Sequence, residues 1–339
     1  MANTYNPGAF QTSGVDVEIT AFAADQFNNP VPDGTTVNFT TESGFIESRC
    51  EIQDGRCSVN WTSSGQRPGE IDSSLQRVNE TRSDAPFNGS HLGMTTIMAN
   101  MEGEAGFTDT NNNGLFDVGE PKRALPEPIR NDDWCAGACG PILAAHEAPD
   151  DTNGDGSGSP VEFFADYDND NAHDTAPAEY QGALCTDAAR GAGNCANLAF
   201  ISSSLRIMQS DQVSPVYIRV YQGGVKIYDE SDGTDVAINK PSITGQQEEL
   251  YVLVQDANGN IPPSGTSMTI SGEGYEIFGS TGIVTNAINE VGTTVAAANI
   301  NNEFEFGMLR RVVYLDDGTE ESIKVTISVN GRAQEVVLN

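Results

Sequence analysis

The chain has 339 residues, 37% of them hydrophobic, and 17 basic against 49 acidic side chains give a net charge of -32. That length suits two ordinary domains, each able to bury a core. The charge argues against nucleic acid and anionic membrane surfaces as partners, since both would be repelled, and no run of 18 apolar residues offers a direct membrane insertion.

The acids are unevenly placed. Residues 101–179 hold 18 acidic side chains and three basic ones (Lys122, Arg123 and Arg130), nearly half of the excess charge in under a quarter of the chain. A solvated surface or a disordered acidic linker has such a composition. These acids, however, recur at fixed spacings among Asn and Gly, which a linker does not require and bound cations do.

In chain order, "MANTYNPGAF" has neither a basic nor an apolar signal region, so residues 1–12 are expected to be a linker and the chain a segment of a larger or processed exported protein. "VDVEITAFA", "TTVNFTTE" and "CSVNWTS" alternate with period two, which predicts strands with Val17, Ile19, Val37, Phe39, Val59 and Trp61 inward. "CEIQDGRC" predicts a hairpin turning at Asp54-Gly55, its cysteines facing each other across the strands and pinning their register. Six cysteines fall into three close pairs: Cys50 with Cys57, Cys135 with Cys139, and Cys185 with Cys195. Without a Cys-x-x-Cys or clustered histidines zinc is a poor fit, and local disulfides in an oxidising, extracellular setting fit best. The four-residue spacing of Cys135 and Cys139 makes theirs the most strained of the three expected bonds.

After the strand-like "GMTTIMANMEGEAG" comes "DTNNNGLFDVGE", which fills every position of a calcium loop. Asp109, Asn111 and Asn113 supply oxygens at positions 1, 3 and 5, Gly114 the sharp turn, Leu115 its carbonyl, Asp117 position 9 and Glu120 a bidentate close at 12. The alternative is an Asn/Asp-rich turn that binds nothing. "DTNGDGSGSPVE" repeats the pattern with Asp151, Asn153, Asp155, Ser157 by its carbonyl, Ser159 and Glu162, although its Gly/Ser content also suits a flexible linker. A third run offers Asp166, Asp168, Asp170 and Asp174, but Asn171 stands where glycine belongs and Pro177 at position 12, with Glu179 two residues late. All-oxygen donors favour calcium over transition metals, and two to three ions are expected. With little apolar sequence, the insertion cannot offset its ordering entropy by burial, so the ions are expected to be structural.

The second half repeats the first. The frame strand–Asp–turn–Pro-x-Gly-Thr–strand occurs at Asp25 to Thr35 and again at Asp256 to Thr266, a spacing of 231 residues, which implies two similar domains. Strands follow at "RRVVYLDD" and "ESIKVTISVNG". "VDVEITAFAADQFNNPVPDGTTVNFTTESGFIESRCEIQDGRCSVNWTS" resembles the bacterial Ig-like group 1 domain of invasin- and intimin-type surface proteins over roughly residues 13–100, and "VLVQDANGNIPPSGTSMTIS" extends the likeness more loosely over 211–339. The resemblance implies an all-β fold of tandem Ig-like β-sandwich domains on a bacterial cell surface, and it is also to a subset of such domains with a calcium-loop insertion closed by a cysteine pair.

The expected organisation is therefore a first Ig-like domain over 13–210, with an insertion at about 101–195, and a second over 211–339. The expected role is structural and adhesive, with no enzyme activity: G-x-S-x-G, H-E-x-x-H and phosphate-loop patterns are missing from the sequence. Neighbouring Ig-like domains, copies of the chain, or a surface receptor or glycan are the expected partners. Two alternatives remain open at this point: a calcium-dependent recognition module that contacts a glycan or protein, and a self-assembling extracellular filament subunit.

Overall fold

The computed structural model describes residues 1–65, 93–123, 125, 127, 165, 177–196, 199–223, 225–230, 233–235, 247–273, 275–287, 308–316 and 322–338. Strands β1 (Asp16–Phe22), β2 (Thr36–Thr41) and β5 (Arg56–Thr62) form where the alternation predicts, because every second side chain is apolar and the pleat sends it to one face. With β3 (Phe45–Ile46), β4 (Arg49–Glu51), β6 (Met94–Gly103) and β9 (Ala199–Met208) they make two antiparallel sheets, ordered β1-β5-β3 and β4-β2-β6-β9. Their inner faces share one core that joins Val17, Ile19, Val59 and Trp61 to Val37, Phe39, Ile97 and Ile207. Trp61 is fully buried, and its indole N–H donates to the Ser43 carbonyl at 2.8 Å, so burying this ring strands no polar group. The neighbouring Gly44 has φ +77°, and a Cβ there would lie 2.7 Å from the Trp61 ring, so both backbone and packing require glycine.

A second sandwich follows: β10 (Tyr217–Gln222), β11 (Val225–Asp229), β12 (Thr234–Asp235), β13 (Gln247–Gln255), β14 (Ser267–Glu273), β15 (Tyr275–Phe278), β16 (Thr281–Ile283), β17 (Met308–Asp316), β18 (Ser322–Val329) and β19 (Arg332–Leu338). Its sheets are ordered β12-β11-β10-β13-β17-β15 and β16-β14-β18-β19. The chain is thus all-β, two β-sandwiches in tandem, and the repeat seen in the sequence is a repeat of pairing. β13-β17-β15 corresponds to β1-β5-β3, and β16-β14-β18-β19 to β4-β2-β6-β9. The turn frame repeats bond for bond. The Asp25 carboxylate accepts the Phe27 and Asn29 N–H groups, and that of Asp256 those of Asn258 and Asn260. Thr35 and Thr266 each donate a hydroxyl to the carbonyl of the proline three residues earlier, at 2.7 Å.

The two copies of the frame differ in surroundings. Asp25 is exposed, whereas Asp256 is fully buried and its second oxygen accepts the Asp211 N–H at 2.7 Å. Ser210 donates to the Ile261 carbonyl and Asn6 to that of Pro262, so the second turn is the seat on which the first sandwich rests.

One expectation is corrected. Asp54-Gly55 does turn the chain, with φ +50° and +75° and a Gln53–Arg56 bridge, but the run is no ladder across which the cysteines pair. Cys50 lies on β4, opposite Val37 of β2, and Cys57 on β5, opposite Ala21 of β1. The Cys50–Cys57 disulfide, Cα–Cα 5.9 Å, therefore ties the two sheets together where the chain steps from one to the other. Of the other two expected bonds, the one between Cys185 and Cys195 is formed. The one expected between Cys135 and Cys139 falls outside the described residues, because both Cys135 and Cys139 do.

Candidate functional site

The loop 109–120 sits on a hairpin. β6 and β9 pair along their whole length up to Gly103 opposite Ala199, and residues 104–198 leave from this end. In the second sandwich the corresponding strands β18 and β19 are joined by the tight turn Asn330-Gly331. The inserted segment thus occupies the place of a two-residue turn, at the tip of a hairpin that the sandwich already holds rigid.

Beyond that tip the backbone builds a second, short hairpin. Phe107 bridges Lys122, Thr108 N–H donates to the Pro121 carbonyl at 2.8 Å, and Arg123 N–H to that of Gly106 at 2.8 Å. The loop is the end of this hairpin, flanked by extended chain instead of helices. Asn112 at φ +60° and Gly114 at φ +75° reverse the chain there.

Within the loop the six sequence-predicted residues of the first pattern are brought together. Asp109 accepts the Asn113 and Gly114 N–H groups at 3.2 and 2.7 Å, and Asn113 Oδ1 accepts the Leu115 N–H at 2.7 Å. Asp117 Oδ2 receives the side-chain amides of Asn111 and Asn113, each at 2.7 Å. Glu120, 8% exposed, spans the loop: Oε1 accepts the Thr110 N–H at 2.7 Å and its hydroxyl at 2.8 Å, while Oε2 accepts the Asp117 N–H at 2.9 Å. The Asn111 and Asn113 amides hold the Asp117 carboxyl below the usual carboxylate range, and the Asp117 and Thr110 N–H groups do the same for Glu120. Both are ionised at neutral pH. Among the described residues no three His, Cys, Asp or Glu side chains gather into a metal-holding group. The loop's three carboxylates, Asp109, Asp117 and Glu120, are thus not gathered on one point; with the Asn111 and Asn113 amide oxygens and the Leu115 carbonyl they are hard oxygens of the type calcium takes.

An apolar platform underlies the loop. The Phe116 ring stacks on Tyr180 with centroids 4.7 Å apart, and Phe107 meets both edge-on at 5.9 and 5.4 Å. Tyr180 is fully buried, and its hydroxyl donates to Glu104; burial and that carboxylate push its pKa up, so it stays neutral. Tyr180 lies on β7 (Tyr180–Gln181), which pairs in parallel with β8 (Cys195–Ala196). Phe116 is locked through its backbone, its N–H to the Leu184 carbonyl at 2.7 Å and its carbonyl to the Thr186 N–H at 3.1 Å. Thr186 caps α1 (Asp187–Gly191), and its hydroxyl also lies 3.1 Å from Asp117 Oδ1. The Cys185–Cys195 disulfide closes the lobe around that helix. Lys122 reaches the Glu179 carbonyl at 2.6 Å.

Thr186 and Tyr180 were missed from the sequence. The signal for Thr186 was present, a Thr-Asp pair opening "TDAARG" in the manner of a helix N-cap. Nothing local marks Tyr180 as the partner of Phe116. The second pattern (Asp151, Asn153, Asp155, Ser157, Glu162) lies outside the described residues, as do Asp166, Asp168, Asp170 and Asp174 of the third.

No protein-family model matches the chain, and no curated protein matches it. Among solved structures it is similar to the D0-D1 domain of intimin, at 10% identity over 99% of this chain and 95% of that one, with a TM-score of 0.23. It is similar also to the Yersinia pseudotuberculosis adhesin InvE, at 12% identity with TM-score 0.25, covering 99% of this chain and 56% of that one. A third is invasin, titled a bacterial integrin-binding protein, at 11% identity with TM-score 0.21, covering 100% of this chain and 60% of that one.

Proposed function

We propose that the chain is a calcium-stiffened, adhesive segment of a bacterial surface protein, in which the first sandwich displays a metal-ordered lobe at one hairpin tip. Asp109, Asn111, Asn113, Asp117 and Glu120 would hold the ion with the Leu115 carbonyl. The bound cation would supply charge neutralisation and coordination, with no covalent chemistry.

The observation that carries calcium here is the closure of the loop on itself. Glu120 at position 12 reaches back to the N–H groups of both Thr110 and Asp117, so the end of the pattern is hydrogen-bonded to its beginning and its middle. Negative charges crowded into one short loop repel one another, and a divalent cation among them turns that repulsion into attraction. Phe116, next to both Leu115 and Asp117, is fixed to Leu184 and Thr186 and stacked on Tyr180. Ordering the loop therefore orders the disulfide-closed lobe behind it. The surface setting is supported by the repeated turn frame and by the disulfides Cys50–Cys57 and Cys185–Cys195, bonds that belong to oxidising compartments.

Thermal unfolding in calcium, in EGTA, and in EGTA with magnesium tests this. At ~2 mM calcium and the ~0.1–1 mM affinity usual for extracellular modules, one site adds about 0.6–1.8 kcal/mol. A calcium-specific rise in melting temperature, with amide protection gained at 109–120, is expected. Coincident curves from a sample shown to be metal-free would end the calcium assignment.

A further inference from the structure

Residues 5–12 lie where the two sandwiches meet, and they bond to both. Toward the first sandwich the bonds are mostly main chain. Met208, at the end of β9, donates its N–H to the Tyr5 carbonyl at 2.7 Å, and Ser210 donates to that of Pro7 at 2.9 Å. The segment therefore runs beside the chain that leaves β9 for the second sandwich. Phe10 N–H returns a bond to the Ser210 carbonyl at 3.2 Å, and the Ser63 hydroxyl fastens the end of the run at the Thr12 carbonyl, at 2.7 Å.

Toward the second sandwich the fully buried Asn6 makes the attachment. Its side-chain amide donates to the Pro262 carbonyl at 3.0 Å, its Oδ1 accepts the Ala287 N–H at 3.2 Å, and its backbone carbonyl accepts the Ser264 N–H at 3.1 Å. One residue thus fastens two loops, 262–264 ahead of β14 and 286–287 beyond β16. Asn286 adds a second attachment, because its side chain accepts the Tyr5 N–H and donates to the Asn3 carbonyl at 2.8 Å. Farther along, Gln11 donates to the Asp211 carboxylate at 3.2 Å, and the Gln212 amide donates to the Thr12 hydroxyl at 2.9 Å.

Two domains joined by one stretch of chain move relative to each other unless a large apolar interface holds them. This joint is held by buried polar groups instead. Asn6, Ser210, Asp211, Asp256 and Asn260 are each at most 1% exposed, and the bonds Asn6–Pro262, Ser210–Ile261 and Asp211–Asp256 join its two sides. A small swing of one sandwich would break several of these bonds together, before the gap is wide enough to admit water in their place, and each group left unpaired resists the motion. We infer that residues 5–12 are a brace: they lock the second sandwich against the first, so that the two move as one rigid body and the hairpin tip of β6 and β9 keeps a fixed direction relative to the second sandwich. The inference does not rest on calcium, because no bracing residue belongs to the 109–120 loop.

Spin labels at Ser58→Cys on β5 and Ser271→Cys on β14, both exposed positions, read the distance between the sandwiches in the full chain by pulsed electron resonance. The measurement is made in EGTA, so that calcium plays no part. A single narrow distance distribution is expected. Asn6→Ala removes the side-chain bonds to Pro262 and Ala287, and Asn286→Ala those to Asn3 and Tyr5. Each should broaden the distribution at least ~twofold, toward the motion usual between tandem domains. Asn286 is exposed and outside both cores, so its variant folds even where loss of the buried Asn6 side chain prevents folding. Asp25→Ala, which breaks a similar number of bonds in the exposed turn after β1, is the control and should leave the distribution as in the parent. A broad distribution in the parent overturns the inference. So does a distribution that stays narrow in Asn286→Ala and in any folded Asn6→Ala, which would leave the joint to residues 208–212 and 256–261 without a brace. Equal broadening in Asp25→Ala overturns it too, since the motion would then follow general loss of stability.

Discussion

Asp25 and Asp256 hold the same turn through the same bonds, so replacing each by alanine isolates the effect of burial. Asp25→Ala frees the N–H groups of Phe27 and Asn29, both at exposed residues, and water takes the place of the carboxylate. Its cost should be about 0–1 kcal/mol. Asp256→Ala frees the N–H groups of Asp211, Asn258 and Asn260, of which Asp211 is 1% and Asn260 0% exposed. An unsatisfied buried donor costs about 1–3 kcal/mol, so three orphans give roughly 3–6 kcal/mol once the half-buried Asn258 is weighted down. Relief of the carboxylate's own desolvation returns part of this, for a net of about 2–5 kcal/mol. Urea unfolding of the two variants beside the parent measures the difference. Because Asp256 also anchors the linker at Asp211, the variant should in addition show faster hydrogen exchange at 209–212. Costs for the two variants within ~0.5 kcal/mol of each other would refute the argument, since burial would then be irrelevant to this turn.

Burial raises the Asp256 pKa from 3.8 to about 7; the folded state then binds the extra proton, so this group's stabilisation is full below about pH 4 and is lost as pH rises through about 7. The stability gap between the parent and Asp256→Asn should accordingly shift in the parent's favour at pH 5 relative to pH 8, by urea unfolding, and a pH-independent gap would contradict it. Replacing both Cys50 and Cys57 by alanine should cost about 2–3 kcal/mol from the short closed loop; because the bond joins two sheets, the melting temperature should fall for the whole first sandwich, as read by Trp61 fluorescence. Asp117→Ala should weaken calcium binding at least ~tenfold in titration calorimetry, while the EGTA melting curve changes little, since the Asn111 and Asn113 amides it releases belong to exposed residues that water can satisfy.

Much of the fold was legible because its signals are local. The alternation around Val17, Val37 and Trp61 fixes which faces are buried without reference to any partner strand. The frame at Asp25 and Asp256 is legible for a similar reason: an Asp that binds the N–H groups two and four residues on needs only its own neighbours. The pattern of 109–120 likewise rests on spacings within twelve residues, and its six residues are linked by hydrogen bonds within the folded loop.

What the tertiary structure decided is which of these local pieces meet. The hairpin expected at Asp54-Gly55 had the right turn, yet Cys50 and Cys57 lie in different sheets, because β4 pairs with β2 and β5 with β1 over longer stretches than the turn itself offers. Tyr180 reaches Phe116 across 64 residues of chain, and Thr186 reaches Asp117 across 69, through a lobe that only the β7–β8 pairing and the Cys185–Cys195 bond close. Local pattern sets the conformation of each segment, whereas pairing and burial are properties of two segments at once, and a single stretch of sequence carries only one of them.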